Sequence, residues 1–216
     1  MTEKREWTYE GTELAWLGDR LGRPEAGPGH VVSELVPSGY DAYLRIFHRF
    51  EATDGSGRSR TWRTRAECLA VPFRAEVSHR WLRDEDRGPG RPLWLAEAGA
   101  LDDGSRRALA RALTEVSGDQ VVCFAYGLAA LLRGEDEPLV RRARLVDLET
   151  VRESVRDVVG ESGPEFWWPQ DRGWLVATDY DLVSTYVGCS AETAEVLLGD
   201  DELETLPVTL RTRVDV

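Results

Sequence analysis

Two aspartates, Asp179 and Asp181, flank Tyr180 in a segment bounded by apolar strings. In extended backbone, residues two apart point to one face. Two carboxylates so placed can divide acid and base roles or grip a cation. At the tip of a turn the chain rotates and that rule fails. The commoner use of aspartate there is to bond its own backbone. A second charged pair, Asp171-Arg172, follows Trp167-Trp168-Pro169. Asp171 suits backbone N–H groups of its loop, and the Arg172 guanidinium suits the face of Trp167, Trp168 or Trp174. Six aromatic residues fall between Phe166 and Gly188, an aromatic density found nowhere else in the chain, together with four charged ones.

Other chemistries find weaker support. His30, His48 and His79 are scattered, and the one Glu-x-x-His spacing, Glu76 to His79, is unpaired. Carboxylate metal sites use that spacing in pairs, so no metal is expected. No Gly-x-Ser-x-Gly elbow is present. Cys189 precedes an expected helix whose N-terminus would favour a thiolate, with His48 as a distant partner, but a small residue at a strand–helix junction is the plainer reading. Gly27-Pro28-Gly29 and Gly55-Ser56-Gly57 lack the Lys-Ser/Thr ending of a phosphate loop. No cofactor is expected.

The elements around these residues read as follows. Asp41 to Phe50 is a strand rich in aromatic β-formers. Val31 to Val36 is a shorter extended piece, and Thr61 to Ala70 has helical spacing. Asp103 to Val116 is the clearest helix, with Asp102 or Asp103 as its cap. Gln120–Tyr126 and Leu139–Leu148 read as strands and Glu149–Val159 as a helix. An aromatic loop then leads into a hairpin, Trp174–Thr178 and Val183–Val187, with Asp179-Tyr180-Asp181 at its tip. Ser190 caps a helix over Ala191–Leu198. Leu206–Leu210 is a last strand, placed at an edge by Pro207. Strands and short helices do not alternate regularly, which predicts an α+β fold: one domain over 1–216, a mainly antiparallel sheet, and short helices packed on one side of it. Residues 1–30 read as a lead-in and 87–92 as a loop.

At 216 residues the chain can bury a core without disulfides. Three widely spaced cysteines form no framework, and Cys68 and Cys123 sit in apolar strings that predict buried thiols. One lysine stands against 26 arginines, with no asparagine and one isoleucine. That pattern fits GC-rich coding and makes arginine abundance no sign of nucleic-acid binding. The net charge is −12, and residues 151–216, with 14 acidic and 5 basic residues, carry −9 of it. Such a surface repels phosphate backbones and suits basic partners. No apolar run reaches the length of a membrane span, and the N-terminus does not read as a signal peptide. A cytoplasmic location is the expectation.

Two blocks carry a resemblance: Leu35-Val36-Pro37-Ser38-Gly39-Tyr40-Asp41-Ala42-Tyr43 running to His48, and Trp167-Trp168-Pro169 running to Tyr186-Val187-Gly188. They resemble a family of single-domain proteins from Streptomyces and related actinobacteria. That resemblance implies one integrated domain and transfers no activity. A looser, class-level likeness to immunity proteins of polymorphic toxin systems rests on a small, acidic α+β character.

The expectation is therefore a non-enzymatic domain that binds a protein partner, in its concrete form a basic toxin. Asp179, Tyr180, Asp181, Glu202 and Glu204 would present negative charge, while Trp167, Trp168 and Arg172 would supply anchors. Two alternatives remain: an enzyme with a pocket lined by His48, Asp179, Asp181 and Arg172, and a homo-oligomer that buries Trp167 and Trp168 between copies.

Overall fold

The computed structural model describes residues 12–18, 20–22, 30–83, 93–127, 138–160 and 162–214. The expected loop at 87–92 lies outside them. Among the described residues, ten strands form two sheets. The larger runs β10(Thr205–Val208)-β1(Ala42–Phe47)-β9(Ser184–Cys189)-β8(Trp174–Ala177)-β7(Phe166–Pro169)-β5(Val121–Tyr126)-β6(Leu139–Arg144). The smaller runs β3(Ser59–Arg60)-β2(Phe50–Ala52)-β4(Trp94–Ala96). Every strand pairing is antiparallel among the described residues. The α+β fold expected from the sequence is the fold observed. No helix among the described residues is long and apolar enough to cross a membrane.

The central strands are buried on both faces, which explains their nearly continuous apolar sequence. Trp174 and Val176 of β8 face one core with Val122 and Phe124 of β5. Helices α4(Asp103–Ser117), α5(Leu148–Val159) and α6(Ala191–Gly199) cover that face. Leu175, Ala177, Cys123 and Ala125 face the other way, against Leu17 of α1(Thr12–Gly18) and the 3-10 turn Val32–Glu34. Helices thus sit on both sides, not on one as expected. A third core, around Phe47, Phe50 and Trp62, joins the small sheet to α2(Trp62–Cys68) and α3(His79–Arg83).

Local signals account for most element ends. Asp102 caps α4 by accepting the Ser105 N–H, and Ser190 caps α6 by accepting the Thr193 N–H. Pro207 lies on the edge strand β10, opposite Leu44. Phe47 donates its N–H to the Glu204 carbonyl, so alternate residues of β10 face β1 and the missing Pro207 N–H falls on the open side. Val31–Val36 is not a strand. Val31 makes one isolated bridge, to Arg213, and the chain then turns 3-10.

The sharpest local departure is at Phe166–Pro169. The expected loop is strand β7, sandwiched between β5 and β8. Trp167 and Trp168 point to opposite faces, as adjacent strand residues must, and each is only 3% exposed. Trp167 donates its indole N–H to the Pro164 carbonyl. Neither ring is free to anchor a partner or to bury against a second copy, so both roles fall.

Candidate functional site

The turn joining β8 to β9 holds Asp179, Tyr180 and Asp181. Tyr180, at its tip, is 52% exposed. The turn closes by the Leu182 N–H donating to the Asp179 carbonyl at 3.1 Å. The Asp181 N–H also reaches Asp179 Oδ1 at 3.4 Å, the local bonding expected of an aspartate here.

A loop from the small sheet holds this tip from beneath. It runs from β4 to α4 through Glu97 and Gly99. Gly99 donates its N–H to the Leu182 carbonyl at 2.9 Å. Its φ is +81°, and a Cβ there would lie 2.8 Å from the Tyr180 carbonyl oxygen. Only glycine tolerates both the left-handed backbone and that approach.

His48 pins the same loop from inside. Its Nδ1 lies 2.8 Å from the Glu97 carbonyl. A carbonyl only accepts, so Nδ1 carries the proton and Nε2 accepts from the Thr185 hydroxyl at 2.9 Å. Thr178 then donates to Thr185, 2.7 Å away. Burial pushes the His48 pKa down to about 4, so the ring is neutral at physiological pH. Both nitrogens are occupied, and His48 does not line the clefts beside Asp179.

Two clefts flank Tyr180. One, of about 170 Å³, is walled by Glu97, Gly163 and Glu165. The other, of about 320 Å³, is walled by His30, Glu34, Asp179 and Asp181. Among the described residues, five carboxylates therefore line the clefts beside one exposed phenol, and no lysine or arginine lines either. His30 Nδ1 sits 2.7 Å from Glu34 Oε2. Glu165 is almost fully buried and accepts the Gly127 N–H at 3.0 Å. Burial first, then the neighbouring Asp181 carboxyl, raises the Asp179 pKa to about 6, with Glu165 adding to the effect. A cationic group placed in the cleft would relieve that crowding of negative charge.

The remaining expected site residues lie elsewhere. Arg172 is in the β7–β8 turn, at the opposite end of β8 from Asp179. Seven residues of extended chain separate them, about 20 Å. Arg172 stacks 4.5 Å from the Trp16 ring, not on Trp167, Trp168 or Trp174. Asp171 accepts the Gly173 N–H at 2.9 Å, as its loop position suggested. Glu204 accepts the backbone N–H groups of Trp62 and Arg63 at 2.5 and 2.7 Å, capping α2. Glu202 pairs with Arg111 at 3.0 Å. Of the eight expected partner-binding residues, the tip unites Asp179, Tyr180 and Asp181. Glu202 and Glu204 spend their carboxylates within the chain, and Arg172 stands apart.

The enzyme pocket of His48, Asp179, Asp181 and Arg172 does not form. Burial pushes the Cys189 thiol up to about 12 and the side chain is fully enclosed, which removes the thiolate reading. Cys189 pairs with Ala42 at one end of β1 and His48 follows the other end. Cys68, expected buried, is exposed. Among the described residues no cluster of three or more His, Cys, Asp or Glu is arranged to hold a metal ion.

Glu34, Glu97 and Glu165 were absent from the sequence expectation. They come from three distant segments, and no local motif marks any of them. Comparison with known proteins finds no matching family model, no matching curated protein and no matching solved structure.

Proposed function

We propose that this chain is a non-enzymatic binding protein that receives a basic protein partner on the tip around Tyr180. The observation that carries the reading is one exposed tyrosine between two clefts that, among the described residues, are walled by five carboxylates and by no arginine or lysine. A phenol face beside carboxylates suits a guanidinium or ammonium group, which gains from the ring and the charge together. Preorganisation supports it further. Gly99 and His48 hold the turn from below through backbone and side-chain hydrogen bonds, so little ordering remains to be done on binding. The concentration of acidic residues in the last third of the chain would speed encounter with a cationic surface.

In its concrete form the role is of immunity type: a cytoplasmic member of the actinobacterial family that the two sequence blocks resemble, occupying the cationic surface of a toxin. Isothermal titration against the purified products of the genes flanking its own tests this. Wild type binds one of them, and Asp179→Ala/Asp181→Ala weakens that binding by at least about tenfold. Unchanged affinity in the double variant overturns the acidic-tip reading.

A further inference from the structure

A second surface lies on the outer side of α4. Arg107, Ala110, Arg111, Thr114 and Glu115 recur at helical spacing and line a groove of about 550 Å³ with the segment that leads into α5. Its floor is apolar, made by Ala110, Leu145 and Leu148. On its rim stands Val146, 76% exposed and the most exposed large hydrophobic side chain among the described residues. A valine that leaves its own groove unfilled is a knob beside a hole.

We propose that a second copy of this chain covers the groove, with the two α4 helices antiparallel about a two-fold axis. The charges decide for a second copy. Arg107 and Glu115 sit on the groove at opposite ends of the stripe, about 12 Å apart along the helix. Both are exposed, and neither makes a hydrogen bond or close ion pair among the described residues, Arg107 only lying near enough to Asp103, one turn back, to help hold that carboxyl down. Arg111, midway between them, is already held by Asp200 at 2.8 Å and Glu202 at 3.0 Å. Glu149 is held by Arg106 and Arg152. The two charges left without a close pair are therefore of opposite sign and placed symmetrically about Arg111, whose own charge at the axis is offset within each copy by Asp200 and Glu202. An antiparallel copy sets Arg107 against the second copy's Glu115, and Glu115 against its Arg107. The same rotation lowers each Val146 onto the other copy's apolar floor. A two-fold contact must be self-complementary in this way.

Sedimentation equilibrium on the full chain, with circular dichroism confirming the fold of each variant, tests the proposal. Wild type sediments at twice 24.2 kDa, with dissociation to monomer only on dilution. Val146→Glu raises the dissociation constant at least about tenfold. Arg107→Glu alone and Glu115→Arg alone each weaken the dimer, because like charges then face across the axis. The double variant Arg107→Glu/Glu115→Arg restores it to within about threefold of wild type, since the pairs re-form with reversed sign. A wild type that stays monomeric at about 100 µM, far above the constant of a stable dimer, overturns the proposal. So does a dimer indifferent to Val146→Glu, or a charge reversal that fails to restore association. The surface charge swaps leave the core untouched, so the result is readable even if Val146→Glu folds poorly.

Discussion

Glu204, just before the edge strand β10, accepts the Trp62 backbone N–H at 2.5 Å with one carboxylate oxygen and the Arg63 N–H at 2.7 Å with the other. One side chain of the large-sheet lobe thereby caps the helix that packs on the small sheet. Burial raises the Glu204 pKa, although both N–H groups and Arg63 oppose the shift. Glu204→Ala should leave those two N–H groups without their acceptor, with the Thr61 cap of the same helix intact, and lose about 1 kcal/mol of stability. Glu204→Gln keeps an acceptor oxygen and removes the buried charge, so it should cost less. Urea unfolding of both variants at pH 7 checks the order.

Asp179 makes stability depend on pH in the less usual direction for a carboxyl. Its folded pKa is raised from 3.8 to about 6, so the folded state holds the proton more tightly than the unfolded one. The contribution is most favourable below about pH 4, declines as pH rises through 4 to 6, and is at its full cost above that. Asp179→Asn should stabilise the protein at pH 7 by about 1 kcal/mol, discounted for the half-exposed position. It should also flatten this part of the profile. Thermal melts from pH 4 to pH 8 measure both.

His48 works the other way. Its folded pKa is depressed from 6.5 to about 4, so its contribution is complete above pH 6.5 and is lost as pH falls towards 4. Nuclear magnetic resonance titration of the ring should find it neutral, with the proton on Nδ1, down to about pH 5. His48→Ala leaves the Glu97 carbonyl and the Thr185 hydroxyl without their partner and opens a void. A loss of about 3 kcal/mol is expected, with faster amide exchange at Gly99 as the specific sign that the loop beneath Tyr180 has come loose.

Gly188 offers a test of packing alone. A Cβ there would meet Tyr40 Cδ2 at 2.5 Å and Val36 Cγ1 at 2.6 Å. Gly188→Ala should cost about 1–3 kcal/mol by overpacking. Its effect should be independent of pH between 5 and 8, unlike the changes at Asp179 and His48.

What the sequence could convey follows from what is local. The α4 helix was legible because Asp102 caps it and its apolar residues recur at helical spacing. Ser190 and Pro207 marked α6 and the edge strand β10 for equally local reasons. Trp167 and Trp168 misled because an antiparallel sheet usually wets one face, whereas here helices and turns cover both. The small sheet's β4 and helix α3 went unread because three and five residues give too little periodicity to recognise. At the site itself the aspartate–tyrosine–aspartate tip was visible as a motif. Glu34, Glu97 and Glu165 were not, since only the tertiary fold brings them to Tyr180. Glu204 looked like free acidic surface because its two backbone donors lie some 140 residues away.

In the proposed function the Tyr180 tip, and not acidity in general, receives the cationic partner. Backbone amide shift mapping during titration with a short arginine-rich peptide at pH 7.5 addresses it most directly. Saturable shifts confined to residues near Glu34, Glu97, Gly163, Glu165 and 179–182 are expected, and their loss in Asp179→Asn/Asp181→Asn. Shifts scattered over the whole acidic surface, or a localised set that survives the double substitution, would contradict it.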